Sequence, residues 1–291
     1  MGSALLFFTS SSGHGQFVKK KTQIVERLQR LFDPLEIYES KTKEDGVAKL
    51  TEAMDAFDAI VIVGGDGTFH TAVGIAAKAK RSPVLGYINN GTLGDVGRSY
   101  GVTSSWKKAL RIIEEGYVVP SDVVDADGEV FAYMGACGAY SAISYDAKRK
   151  RKKRFHRFAY YFASIREAFT PRSIHYQILA NGKEYEGTSP FLLILNGAYV
   201  GGFPINRSGS FCDGKAELYI TPKGLFNGLL HYFFAKKKIQ RIEFSEATIR
   251  LSGDIPWCFD GERSKSGDVT LKVLPSAVKI FADKKAVGKR K

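Results

Sequence analysis

The sequence predicts an α/β domain on a doubly wound parallel sheet over residues 1–122, followed by a mostly β half over 123–291. Two observations carry this. In the first stretch, short apolar runs alternate with segments of helical period, the signature of strand-helix-strand crossovers. From about Val118 the helical period gives way to alternating runs separated by Asx-Gly dipeptides, as antiparallel hairpins require.

Leu5–Phe8 is the first strand and runs into the small-residue loop Thr9–Gly15. Phe17, Ile24, Val25, Leu28, Leu31 and Phe32 then recur on one helical face. Leu35–Tyr38 makes a second strand, and Val47, Leu50 and Met54 mark a second helix. The third strand, Phe57–Val63, is apolar almost throughout, as a central parallel strand covered on both faces should be. A helix beginning at Thr68 and running over Phe69–Lys78 follows. Next come a fourth strand at Pro83–Ile88, the loop Asn89–Arg98 and a helix around Trp106–Ile113.

In the second half, Asp127-Gly128 separates strands at 122–126 and 130–134, and Asn181-Gly182 separates 174–179 from a strand opening at Tyr185. Both dipeptides suit primed turns, whose central residues need positive φ. Further strands are expected at Phe191–Leu195, Glu217–Thr221, Glu243–Leu251, Trp257–Phe259, Val269–Val273 and Val278–Phe281, with helices at Phe158–Phe169 and Leu225–Phe234. The tail from about residue 276 is expected to pack back on the first domain.

Composition narrows the function classes. Cys137, Cys212 and Cys258 are odd in number and far apart, so they make neither a disulfide framework nor a metal-ligand spacing, which fits a reducing cytoplasm. No apolar run approaches the ~20 residues that cross a bilayer. With 43 Lys and Arg against 30 Asp and Glu, the formal charge is +13 and favours an anionic partner. The run Lys148–Arg154, followed by Phe155, Phe158, Tyr160, Tyr161 and Phe162, suits peripheral attachment to an anionic membrane surface; a solvated loop before an ordinary helix is the plainer reading. Charge alone, without a base-reading motif, gives no ground for a specific nucleic-acid partner.

The motif with most chemical content is Gly64-Gly65-Asp66-Gly67-Thr68 directly after the third strand. Glycines let backbone N–H groups approach a phosphate, and a helix N-terminus behind them favours the same anion. Asp66 would repel a phosphate unless it binds a metal or an attacking hydroxyl, so the turn suggests chemistry as well as binding. The alternative is a tight turn with a capping Asp. A second glycine-rich loop, Asn90-Gly91-Thr92-Leu93-Gly94, carries Asp95 and Arg98; Arg98 could meet a phosphate or pair on the surface.

These two loops, with Asp213-Gly214-Lys215 and Asp260-Gly261-Glu262 following in order, resemble the diacylglycerol kinase catalytic family, which includes sphingosine, ceramide and bacterial lipid kinases. The resemblance spans residues 4–282. It implies an NAD-kinase-like α/β domain, a C-terminal β-sandwich and an active site in the cleft between them. It implies transfer of the γ-phosphate of ATP, with Mg²⁺, to the hydroxyl of diacylglycerol or a related lipid alcohol. NAD kinases share the first glycine turn and a similar second loop, but the late Asp-Gly motifs favour the lipid kinases; a degenerate member that binds without catalysis is the other alternative. The chain departs from the family in Asn89-Asn90 for a usual Pro-Leu, in Gly94 for a usual Asn, and in Thr71 where many bacterial members have Glu.

By resemblance, Ser11, Ser12, Gly13, Ser40, Gly64, Gly65, Gly67, Thr68, Gly91, Thr92 and Arg98 would bind the nucleotide. Asp66 and Asp95 would hold Mg²⁺. Glu262 would be the general base, with Asp66, Asp122 and Asp260 completing the catalytic carboxylates. Asp213 would be a turn residue or part of a structural metal site, and Asp260-Gly261 a hairpin turn in the plainer reading. A homodimer stays open.

Overall fold

The computed structural model describes residues 2–9, 18–91, 94–103, 105–138, 173–200, 204–206, 209–222 and 239–288. Ser11, Ser12, Gly13, Thr92, the segment Lys148–Phe162 and the helices expected at Phe158–Phe169 and Leu225–Phe234 lie outside the described residues. The chain divides into two compact units. Unit 1 comprises Met1–Val123, Gly197–Gly214 and Leu274–Lys291; unit 2 comprises Val124–Asn196 and Lys215–Val273.

Unit 1 is the α/β domain. Strands β1 (Ala4–Thr9), β2 (Leu35–Ser40), β3 (Ala59–Gly64) and β4 (Val84–Asn89) form a parallel sheet in the order β2-β1-β3-β4. The end of the long strand β16 (Val269–Phe281) continues it, pairing parallel to β4 through Lys279↔Val84 and Ile280↔Leu85. Every residue of β3 is buried, which is why that segment reads as an unbroken apolar run. Helix α1 (Val18–Gln29) packs against α5 (Trp106–Glu115), and α2 (Lys43–Ala56) against α3 (Asp66–Ala76). Thr42 caps α2 by accepting from the Asp45 N–H at 3.1 Å. Helix α5 is capped by Ser105 and stops at Gly116, whose φ of 66° needs a residue without Cβ strain.

The stretch Gly197–Gly214 belongs to unit 1, although it follows a strand of unit 2 and the sequence reading assigned it to the second domain. Its ties are side-chain and loop contacts without periodicity. The Ala198 N–H donates to Ser99 Oγ at 3.4 Å, and Phe211 packs on Tyr100 with ring centroids 4.7 Å apart.

Unit 2 is β-rich and built as a sandwich. One six-stranded sheet has the order β12 (Gln240–Phe244), β11 (Ala216–Ile220), β10 (Phe191–Leu195), β7 (Met134–Gly138), β14 (Pro256–Phe259), β15 (Glu262–Ser266). The other layer contains the first residues of β16, β13 (Glu246–Leu251), β8 (Ile174–Ala180) and β9 (Lys183–Ser189), all antiparallel. One core lies between the layers, with Cys137, Leu192, Ile194, Leu218, Trp257 and Phe259 from the first meeting Ile178, Ile249 and Leu271 from the second. The expected hairpin turns at Asn181-Gly182 (φ 52° and 71°) and Asp127-Gly128 (φ 50° and 93°) both have the paired positive φ of a primed turn; the second joins β5 (Val118–Ala126) to β6 (Glu129–Phe131).

Several details differ from the sequence reading: the strand expected at 130–134 is two, β6 and β7, interrupted at 132–133, and β15 has no counterpart among the expected strands. The run 243–251 is two strands, β12 and β13, joined at Ser245. Two strands expected at 269–273 and 278–281 are one, because β16 passes through Pro275 and Ser276 (φ 53°) without ending. Between β4 and α5 lies a short helix, α4 (Asp95–Ser99), inside what reads as a loop. Among the described residues, no helix is long and apolar enough to cross a membrane.

Candidate active site

In unit 1, β3 and β4 end level with each other, Gly64 opposite Asn89, so their following loops emerge side by side. The Asn90 N–H donates to Gly64 O at 2.8 Å and ties them together. A Cβ on Gly91 would stand 2.7 Å from the Gly65 Cα, closer than real Cβ contacts allow, so this crossing of two backbones requires glycine. Helix α3 begins at Asp66, two residues earlier than the sequence suggests, with Gly65 extended at its N-cap and no side chain closing the end. Gly67 and Thr68 thus lie in the first helical turn, and the positive end of a helix favours an anion.

Two carboxylates share this junction. Asp95 is buried at the start of α4. Asp66 Oδ2 accepts the Gly94 N–H at 2.9 Å, and the N–H groups of Asp95 and Val96 also favour its charge. Burial and then the charge of Asp95 outweigh them, and the Asp66 carboxyl is pushed up to about 6. Gly94 makes the approach possible. Its φ of 66° is left-handed, and a Cβ there would strike the Asn89 amide, so glycine in place of the family's Asn has a local steric reason. Thr71, at the family's Glu position, returns its hydroxyl to Gly67 O at 3.0 Å.

Tyr87 escaped the sequence reading. Its hydroxyl lies 3.4 Å from Asp66 Oδ1 and 3.2 Å from Asn89 Oδ1, and its ring packs on Phe69 at 4.5 Å. Burial, then the Asp66 charge, raises its pKa well above the usual phenol value. The available signal was a phenol inside an otherwise apolar strand, since a buried tyrosine hydroxyl needs a partner. Asn89 Oδ1 accepts the Gly91 N–H at 2.8 Å and so shapes the second loop. The neighbouring Asn90 Nδ2 is buried with no acceptor.

The remaining candidates of unit 1 are more dispersed. Ser40 is buried at the end of β2 and donates to Thr42 O at 2.7 Å. Arg98 is half-buried on α4. Asp122 is buried on β5, its Oδ2 accepting the Gly214 N–H at 2.7 Å and its Oδ1 the Ser276 N–H at 2.8 Å. Burial raises its pKa against those two N–H groups, and the charge of the exposed Asp213 adds to the rise. Asp122 therefore fastens three separate chain segments of unit 1. Gly214 has φ 71°, so Asp213-Gly214 has the geometry of a turn.

In unit 2, Asp260-Gly261 is a two-residue hairpin turn between β14 and β15 (φ 46° and 85°), as the plainer reading had it. Asp260 also does more than turn. Its buried carboxylate accepts the N–H groups of Ala132 (2.6 Å), Tyr133 (3.0 Å) and Met134 (3.0 Å). Glu262 opens β15 directly after the turn, opposite Phe259, and is half-exposed.

Residues 3–126 match the family model described as the diacylglycerol kinase catalytic domain. This match and the relatives below support a place in the diacylglycerol kinase catalytic family. It is 26% identical over 226 residues to a diacylglycerol kinase of Bacillus subtilis (strain 168), covering 77% of this chain and 75% of that one. It is 27% identical over 231 residues to a diacylglycerol kinase of Staphylococcus aureus (strain bovine RF122 / ET3-1), covering 78% of this chain and 73% of that one. The fold matches the crystal structure of a diacylglycerol kinase from Bacillus anthracis (strain Sterne) with a TM-score of 0.82 at 23% identity, over 98% of both chains. The family match covers both glycine loops, Asp66, Asp95 and Asp122.

Whether the junction suits the family's Mg²⁺ follows from its donors. Among the described residues no group of three or more His, Cys, Asp and Glu is gathered as a closed metal site. Magnesium needs none, since it takes one or two carboxylates and fills its shell with water and phosphate oxygens. Asp66 and Asp95, two hard oxygen donors whose mutual repulsion a divalent cation would relieve, fit that requirement.

Proposed function

We propose that the protein is a lipid kinase that transfers the γ-phosphate of ATP to the hydroxyl of diacylglycerol or a related lipid alcohol. The carrying observation is the close backbone contact of Gly65 with Gly91 beside the Asp66–Asp95 pair: the first turn of α3, which no side chain caps, favours an anion, and the carboxylates favour a cation. The family match and the relatives named diacylglycerol kinase support the acceptor class.

In this reading Gly65, Gly67, Thr68, Gly91 and Thr92 receive the phosphates, and the buried, unpartnered Asn90 Nδ2 supplies a further donor at the same loop. Asp66 and Asp95 hold Mg²⁺, which when bound neutralises phosphate charge. The acceptor oxygen forms its bond to the γ-phosphorus as the bond to the bridging oxygen of ADP breaks, and Glu262 takes the acceptor's proton. Little covalent help is needed, so positioning and charge supply most of the rate.

The test is to incubate the protein with Mg²⁺, labelled ATP and a panel of diacylglycerol, sphingoid bases, other lipid alcohols and NAD. Label on a lipid alcohol is the expected result. Label on NAD, or on nothing, contradicts the proposal.

A further inference from the structure

Lys107, Lys108 and Arg111 on α5 and Lys284 and Lys285 on the short helix α6 (Lys284–Gly288) lie on unit 1, and the phosphoryl-transfer reading uses none of them. Their adjacency is built in. Lys108 Nζ pairs with Asp283 at 3.1 Å, the Asp283 N–H donates to Tyr100 O at 2.9 Å, and the Ala282 N–H donates to Tyr117 O at 2.9 Å. A Cβ on Gly101 would meet both Asp283 and Ala286, so α6 sits directly on that glycine. Two half-exposed aromatic rings flank the cations: Lys107 Nζ stands 5.7 Å from the Trp106 ring centroid, and Lys284 Nζ 5.9 Å from that of Tyr117.

The nearby acidic groups do not cancel this charge. Asp283 is engaged by Lys108 and Glu114 by Arg27, which among the described residues leaves exposed Glu115 against Lys107, Arg111, Lys284 and Lys285. We infer that this face of unit 1 docks on an anionic lipid bilayer, the cations over acidic headgroups and Trp106 and Tyr117 at the headgroup boundary. Amphipathic rings beside Lys and Arg suit that depth, and each basic residue near an acidic leaflet strengthens binding several-fold. A single-stranded nucleic acid would want open ring faces for stacking, whereas here an ammonium stands over each ring. The choice of a bilayer over another polyanion rests on the lipid-kinase reading.

The two tryptophans make the surface directly observable. Trp257 is fully buried and its Nε1–H donates to Gly267 O at 2.8 Å, so Trp106 is the one placed to respond to lipid. The full chain is titrated with phosphatidylcholine vesicles with and without phosphatidylglycerol, and with acyl-brominated lipid. Expected are a blue shift and bromine quenching only with the anionic vesicles, both lost in Trp106→Phe. Replacing Lys107, Arg111, Lys284 and Lys285 together by Gln should raise the lipid concentration for half-binding at least tenfold. Anionic vesicles that sediment the protein with Trp106 silent, or an unchanged midpoint in the fourfold variant, would overturn the inference and point to another segment, such as the basic run in the sequence at 148–154. A Trp106 response to polyuridylate without quenching by brominated lipid would also overturn it. Phosphate transfer to a short-chain diacylglycerol in neutral detergent, measured alongside, separates the two proposals. A fourfold variant that keeps this transfer supports the docking role; a wild type with the lipid response and no transfer overturns the kinase reading alone.

Discussion

Asp66 with Asp95 and Asp260 with its loop solve the problem of a buried carboxylate in opposite ways. Asp260 is a single charge wrapped by three backbone N–H groups, a settled arrangement that fixes the bend at 132–134. Asp66 and Asp95 are two like charges at one junction, and the donors around Asp66 do not offset its burial and its neighbour. An unresolved electrostatic conflict beside a glycine cradle is the mark of a site that expects a ligand; a resolved one is the mark of architecture. Asp122 lies between the two: an N–H meets each carboxylate oxygen, yet burial and the charge of Asp213 still raise its pKa.

The sharpest way to break this contrast is Asp260→Ala, which leaves three backbone N–H groups without their acceptor. A loss on the order of 3–5 kcal/mol is expected in denaturant unfolding; a change below about 1 kcal/mol would remove Asp260 from the architectural class. Glu262→Gln should do the reverse, cutting phosphate transfer at least ~100-fold while denaturation stays within about 0.5 kcal/mol of wild type. A full rate in that variant would refute its role as base. Asp122→Asn retains one acceptor oxygen and turns an N–H group toward a donor, so unfolding should weaken by about 1–2 kcal/mol, with an equal result at Asp122→Ala telling against the clamp. The smallest effect is expected at Gly91→Ala: a shifted loop should weaken ATP binding by roughly tenfold in calorimetry. Unchanged affinity there would mean that the Gly65–Gly91 contact is not part of the nucleotide site.

Much of this was legible in the sequence because it rests on local rules. The all-buried β3, the Asn181-Gly182 and Asp127-Gly128 turns and the glycine motif after β3 each carry a pattern that one stretch of chain reveals. What was not legible depends on partners far away in sequence. Nothing near Asp260 announces the N–H groups of Ala132, Tyr133 and Met134, and nothing in Gly197–Gly214 announces Ser99 or Tyr100. Helix α4 was hidden for a related reason, since Val96, Gly97 and Ser99 are buried by tertiary packing in a segment too short to show a period. Asp260-Gly261 shows the limit most clearly: the sequence offers a hairpin turn or a catalytic carboxylate, and the structure has the turn with a carboxylate that accepts three backbone N–H groups, which neither reading contains.

The central claim is that the Asp66–Asp95 pair exists for a phosphate-bound cation. It is tested most directly by Asp66→Asn, assayed for Mg²⁺-dependent transfer from ATP to diacylglycerol and for thermal unfolding on the same preparation. The account predicts transfer lowered at least ~100-fold, with a melting temperature equal to or above wild type, because a buried like-charge repulsion is gone. Wild-type transfer, or a fold that collapses without the charge, would contradict it.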